Sequence, residues 1–85
     1  MPPELATDTE IRLSRIWSEV LALDTVGRYE NFFMLGGDSM LATVLVMSVR
    51  REWQVDFSVR VLFDAPVLKD LAGHIDGLAT GSAAG

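Results

Sequence analysis

Two glycines, an aspartate and a serine in succession, Gly36 to Ser39, are the residues of this chain best suited to chemistry. Because glycine has no β-carbon, the backbone can turn sharply at Gly36 and Gly37, and a large partner can approach. An apolar pattern with helical spacing begins directly after Ser39, which places the serine at a helix N-terminus. Unpaired amide N–H groups and the positive end of the helix dipole favour a phosphate there. The segment therefore fits a serine that carries a phosphodiester.

The same four residues have other interpretations. Asp38 or Ser39 alone is typical of a helix N-cap, and that alternative stays open. A phosphate-binding loop requires a lysine after its glycines, and none follows here. A nucleophile elbow requires a second glycine after the serine, and this chain lacks it. The segment faintly resembles the nucleophile block of GDSL esterases. That family needs a downstream Asp-x-x-His pair, whereas Asp70 and His74 are four apart, and the chain is too short for that fold. His74 is interpreted as a surface residue.

Composition limits the remaining classes of function. The chain has 85 residues, no cysteine, 49% hydrophobic residues and a formal net charge of −5. It is long enough for one domain, and any thiol that it uses must come from a cofactor. The negative charge argues against binding to nucleic acid and suits partners with a basic docking surface. Carboxylates are scattered, so we expect no metal site, and no apolar run is long enough for a membrane span. We expect a cytoplasmic monomer.

Helical periodicity and turn residues divide the chain. Leu13, Ile16, Trp17 and Val20 form one apolar stripe, and Thr7 or Asp8 is the expected N-cap. No alternating run supports a sheet, so we predict an all-α, small four-helix bundle with three main helices and one short helix. The predicted parts are a flexible leader at 1–7, helices at 8–23, 39–53, 59–63 and 66–79, and a flexible tail at 80–85. One folded domain thus covers 8–79.

The loop at 24–38 has no sustained period, yet it holds several apolar residues. They are too apolar to lie in water, and we expect the loop to fold back over the core; they are Tyr29, Phe32, Phe33, Met34 and Leu35. A structured loop of this length in so small a domain is usually functional.

The second helix has more apolar residues than one buried stripe requires. Leu41, Leu45 and Val49, with Ala42 or Val46 beside them, make a plausible core face. A different face holds four residues at the spacing i, i+3, i+4, i+7. We interpret that face as an exposed docking stripe, because methionine is adaptable at binding surfaces; its residues are Met40, Thr43, Val44 and Met47. The alternative is that the long loop covers it.

The run from Asn31 to Met40 closely resembles the signature of peptidyl carrier (thiolation) domains of nonribosomal peptide synthetases. The resemblance continues in order over roughly residues 9–79. It includes Ile16 to Leu21, Leu41 to Thr43, Val49 to Glu52, Val59 to Pro66, and Leu71 with Ala72.

This resemblance implies a four-helix carrier domain over 8–79 that is not an enzyme. Ser39 would receive 4′-phosphopantetheine from coenzyme A through a phosphopantetheinyl transferase, with Gly37 and Asp38 as the flanking motif. An adenylation enzyme would then load an aminoacyl group as a thioester. Condensation, epimerisation or tailoring enzymes would be the later partners, with Val61 joining the docking stripe. Asp38 would lie near the metal site of the transferase, or serve only as a cap.

Two departures from the family pattern are visible. Many carriers have histidine where this chain has Asp38, a form that resembles carriers serving epimerisation or tailoring partners. Val44 and Met47 stand where the family often has polar or basic residues, which suggests a partner with an apolar contact surface.

Two alternative functions are an acyl carrier of a polyketide or fatty acid system, and an interaction module that has lost its arm. We expect a free-standing protein, although Met1 and the short tail also fit a piece of a longer one.

Overall fold

The computed structural model describes residues 7–84, and the side chains of residues 7–79. Its helices are α1 (Asp8–Leu21), α2 (Ser39–Trp53), α3 (Val59–Asp64) and α4 (Leu68–Ala84). The described residues form no strand, although Asn31 and Val67 make an isolated antiparallel bridge. The predicted all-α bundle of three main helices and one short helix is confirmed. The leader predicted at 1–7 lies, except for Thr7, outside the described residues.

Local capping explains where α1 and α2 begin and end. The Thr7 hydroxyl accepts a hydrogen bond from the Glu10 amide at 3.1 Å, so the first of the two predicted caps is the one used. Helix α1 ends at Leu21, two residues earlier than predicted, because Ala22 adopts a left-handed conformation with φ of 57°. Helix α2 spans the predicted residues and ends where Gln54 turns left-handed.

The last helix differs from its prediction at both ends. Pro66 was expected at its first position, but the backbone at Pro66 and Val67 pairs with the loop before α2, so the helix begins at Leu68. At the other end the helix continues to Ala84, where a tail had been predicted from Thr80.

The core is built from one face of each helix and from parts of all three connections. α1, α2 and α4 supply most of it, and α1 packs against both α2 and α4. Trp17 is completely buried and meets Phe32 of the loop edge to face, with ring centroids 5.2 Å apart. Phe32 is fully buried as well, and the other fully buried large side chains are Phe57, Leu13, Leu45, Leu62, Leu68, Leu71, Ile75 and Val49. The loop is therefore part of the core rather than a cover laid over it.

Candidate functional site

The loop between α1 and α2 is fixed by backbone hydrogen bonds to the start of α4. The Lys69 amide donates to the Arg28 carbonyl at 2.8 Å, and the Leu68 amide donates to the Glu30 carbonyl at 3.0 Å. In return, the Phe32 amide donates to the Pro66 carbonyl at 2.8 Å. Three bonds of this kind make the loop a defined structure, because each one satisfies a polar group that would otherwise need water.

A buried ion pair joins the same loop to α1. Nη2 of Arg28 donates to Oε2 of Glu10 at 2.9 Å, and Nε lies 2.8 Å from Oε1 as an ionic contact. The Glu10 side chain is only 5% exposed. A guanidinium holds a carboxylate by two parallel contacts with high geometric specificity. The pair therefore orients the first half of the loop with respect to α1.

The second half of the loop makes a tight turn that leads directly into α2. The side chain of Asn31 accepts hydrogen bonds from the amides of Phe33, at 2.9 Å, and Met34, at 3.2 Å. The Gly37 amide then donates to the Phe32 carbonyl at 3.0 Å. Gly36 has φ of 110°, a conformation that residues with a side chain rarely adopt. The predicted sharp turn is therefore located at Gly36.

Gly37 has a different reason for being glycine. A β-carbon built there would lie 2.4 Å from two ring atoms of Phe32 and 2.7 Å from the Phe32 carbonyl oxygen. A sharp turn and access for a large partner were the expected reasons for both glycines, and at Gly37 the structure adds close packing inside the loop. The prediction for the loop was wrong in part, because Tyr29 is 61% exposed and Met34 is 84% exposed. Phe32 is completely buried, and Phe33 and Leu35 pack against the core.

The helix cap is provided by Asp38 and leaves Ser39 free. Oδ1 of Asp38 accepts a hydrogen bond from the Leu41 amide at 2.9 Å, and the Asp38 backbone is extended, as in an N-cap. Ser39 is the first residue of α2, its side chain is exposed, and within the described residues its hydroxyl makes no hydrogen bond. The structure thus assigns the helix cap to Asp38, and the Ser39 side chain is left exposed at the start of α2.

Variants of Asp38 separate capping from any role of its charge. Alanine should lower the free energy of unfolding by about 1 kcal/mol, because the Leu41 amide loses its acceptor. Asparagine should retain stability, since its carbonyl oxygen can accept the same hydrogen bond. Chemical denaturation of the two variants measures the cap. A fall in stability with asparagine as large as with alanine would contradict the assignment of the cap.

The predicted docking stripe is exposed on α2, directly beyond Ser39. Met40 is 76% exposed, Val44 is 44% exposed and Met47 is 57% exposed, and the loop does not cover them. Ala42, Leu45, Val46 and Val49 face the core instead, with Leu41 packed at its edge. Thr43 is exposed, but its hydroxyl donates to the Ser39 carbonyl at 3.0 Å and so serves the helix backbone. The two faces predicted for this helix are thus confirmed as one buried and one exposed.

On α3, the structure draws attention to a residue that sequence reasoning missed. Val61, assigned to the docking surface, is half-buried and packs partly against the core. Phe63 is 51% exposed, and its ring stacks on Phe33 of the loop with centroids 5.2 Å apart and an interplanar angle of 2°. The sequence offered one signal for this exposed residue, namely that Phe63 stands at the end of a very short predicted helix. The exposed apolar surface of this chain therefore includes part of α3.

Other kinds of site find no support in the part of the chain that the structure describes. Residues 7–79 contain no cluster of three or more His, Asp or Glu side chains able to hold a metal ion. His74 lies exposed on α4, as predicted. None of the described helices has the length and apolar character that crossing a membrane requires.

Comparison with known proteins gives a consistent result. A family model described as "Phosphopantetheine attachment site" matches residues 12–75. Malpibaldin synthetase of Mortierella alpina is 51% identical over 65 residues, which cover 76% of this chain and 1% of that protein. Gramicidin S synthase 2 of Brevibacillus brevis is 39% identical over 70 residues, which cover 82% of this chain and 2% of that protein. The chain thus spans one to two per cent of the length of these relatives.

Solved structures resemble the fold over most of its length. A peptidyl carrier protein in complex with the phosphopantetheine transferase Sfp and coenzyme A aligns with a TM-score of 0.82 at 34% identity. That alignment covers 86% of this chain and 95% of the other. The solution structure of a prototype peptidyl carrier domain of modular peptide synthetases aligns with a TM-score of 0.77 at 35% identity, covering 88% and 99% of the two chains.

Proposed function

Because the chain belongs to the phosphopantetheine attachment family, as a carrier of the peptidyl type, we propose that the Ser39 hydroxyl carries a 4′-phosphopantetheine arm from coenzyme A. The observation that carries this proposal is the exposed, unbonded hydroxyl of Ser39 at the start of α2. Asp38 takes the cap, so attachment at Ser39 leaves the helix cap in place. The amide groups of the first turn favour the phosphodiester that would form on Oγ.

The arm would supply the thiol that a chain without cysteine lacks. On that thiol the protein holds an aminoacyl or peptidyl group as a thioester and presents it to partner enzymes in nonribosomal peptide biosynthesis. The chain itself is non-catalytic: a phosphopantetheinyl transferase attaches the arm, and an adenylation enzyme loads it. Condensation, epimerisation or tailoring enzymes then use the cargo. The similarity to peptide synthetases supports this function over that of an acyl carrier in fatty acid or polyketide synthesis.

Loading in two stages tests this function. Incubation with coenzyme A, Mg²⁺ and Sfp should raise the intact mass by one phosphopantetheine. A further incubation with ATP, an adenylation enzyme and its amino acid should add one aminoacyl group, which hydroxylamine removes because it is a thioester. A carrier already known to accept the arm serves as the positive control. An unchanged mass beside a loaded control would contradict the proposal.

The docking stripe offers a second prediction. Changing Val44 and Met47 together to glutamate should lower kcat/KM for arm attachment about tenfold or more, because buried apolar contacts dominate recognition at such surfaces. The fold should persist, since both side chains are already exposed. Changing Thr43 to serine keeps the hydroxyl bond to Ser39 and is the matched control. Circular dichroism checks the fold, and loss of helix in the double variant would indicate a core role instead.

A further inference from the structure

The negative charge of the chain is not carried by the exposed face of α2. This helix contains Arg50 and Arg51 and a single acidic residue, Glu52. Glu52 is already engaged, because Nε and Nη2 of Arg12 in α1 donate to its Oε2 at 2.9 Å and 2.5 Å. From Ser39 to Arg51 the helix presents no carboxylate. The net charge of −5 would suit a basic partner, whereas this face has the opposite sign.

Arg51 continues the docking stripe. It follows Met40, Val44 and Met47 at the spacing i, i+4, i+7, i+11, which keeps all four on one side of a helix. Its side chain is exposed and makes no ion pair within the described residues. With a rise of 1.5 Å per residue, Arg51 lies about 16 Å along the axis from Met40. The stripe therefore ends in an unpaired cation.

The two ends of the stripe have opposite charges. Asp38 precedes Ser39 at one end, and Arg51 follows Met47 by one turn at the other. An apolar stripe alone would tolerate docking in more than one direction. Charges of opposite sign at its ends favour a single direction, because like-charge juxtaposition is costly and complementary charges fix the register.

A phosphopantetheinyl transferase binds the carrier before any arm exists, so the protein surface around Ser39 must supply the binding. We infer that Arg51 is a specificity-determining residue that pairs with a carboxylate on the transferase, beside the apolar patch that receives Met40, Val44 and Met47. Measured along the axis of α2, that carboxylate would lie about 18 Å from the point where Ser39 enters the transferase active site. This inference rests on the proposed function of Ser39.

Charge variants of Arg51, with Sfp as the probe, test the inference. At low ionic strength Arg51→Glu should lower kcat/KM about tenfold, because it replaces attraction by repulsion. Arg51→Gln should lower it about threefold, as expected for the loss of one exposed pair, and Arg51→Lys should stay near wild type. The losses should shrink at about 1 M ionic strength, where the Debye length is roughly 3 Å.

Two controls distinguish position from net charge. Lys69→Glu makes the same charge change on the exposed surface at the start of α4, and Arg15→Glu makes it on the exposed surface of α1. Both should load within about twofold of wild type, since surface changes away from a contact have small effects. Loading of Arg51→Glu at the wild-type rate, or equal losses in all three variants, would overturn the inference while leaving the proposed function intact. Failure of the wild type to load would contradict the proposed function, and the inference with it.

Discussion

Replacing Gly37 by alanine is expected to lower the free energy of unfolding by about 2–3 kcal/mol, the upper part of the range for overpacked cores. The new β-carbon would lie 2.4 Å from two atoms of the Phe32 ring and 2.7 Å from the Phe32 carbonyl oxygen. The ring cannot withdraw easily, because it is completely buried and packs edge to face on Trp17. The carbonyl cannot withdraw either, since it accepts the hydrogen bond of the Gly37 amide.

Thermal and urea unfolding measure this loss of stability. The control is a second Gly→Ala change, at a glycine that has free space around it. A β-carbon added at Gly73 in α4 would meet no atom within 4 Å, and this glycine lies inside a helix. Gly73→Ala should therefore raise stability by as much as about 1 kcal/mol, by helix propensity alone. A wild-type midpoint in Gly37→Ala would show that the turn adapts at little cost. It would contradict the close packing of the loop that carries Asp38 and Ser39.

Replacing Ser39 by alanine has the largest functional effect that we expect, which is complete loss of arm attachment. The phosphodiester forms on Oγ, so a side chain without a hydroxyl has no acceptor. Stability should stay within about 0.5 kcal/mol of wild type, because the Ser39 side chain is exposed and Asp38 provides the cap. Loss of attachment without loss of stability would separate a modification site from a structural residue.

Ser48 provides the matched control on the same helix. It lies nine residues beyond Ser39 and is half-buried. Ser48→Ala should load at the wild-type rate in the same assay with coenzyme A, Mg²⁺ and Sfp. Residual loading of Ser39→Ala would mean that another hydroxyl accepts the arm. Folding of both variants is followed by circular dichroism.

Elements with a strong local signal were predictable from the sequence. α2 was predicted correctly at both ends, because its apolar run begins directly after Ser39 and stops at Trp53. Its two faces were also distinguishable by spacing alone. The start of α4 was not predictable, since Pro66 and Val67 take part in long-range pairing with residues 31 and 32. A proline favourable for a first helical turn was thus overridden by tertiary hydrogen bonds.

The site was predictable in its residues but not in its construction. Gly-Gly-Asp-Ser indicated a turn, a cap and a modifiable serine, yet the division of roles between Asp38 and Ser39 needed the observed bond to the Leu41 amide. The ion pair of Glu10 with Arg28 joins residues 18 apart in sequence, and no local pattern predicts it. The close approach of Gly37 to the Phe32 ring joins residues only five apart, but it depends on the turn at Gly36. These contacts depend on how the loop packs, which single-residue preferences do not encode.

Fragmentation of the loaded protein tests the central claim most directly. After incubation with coenzyme A, Mg²⁺ and Sfp, the wild-type chain is digested and its peptides are sequenced by tandem mass spectrometry. We predict that the phosphopantetheine mass lies on the peptide containing Ser39, and that the fragment ions on either side assign it to that residue. Its assignment to any other residue, or its absence from a sample beside a fully loaded control carrier, would contradict the account.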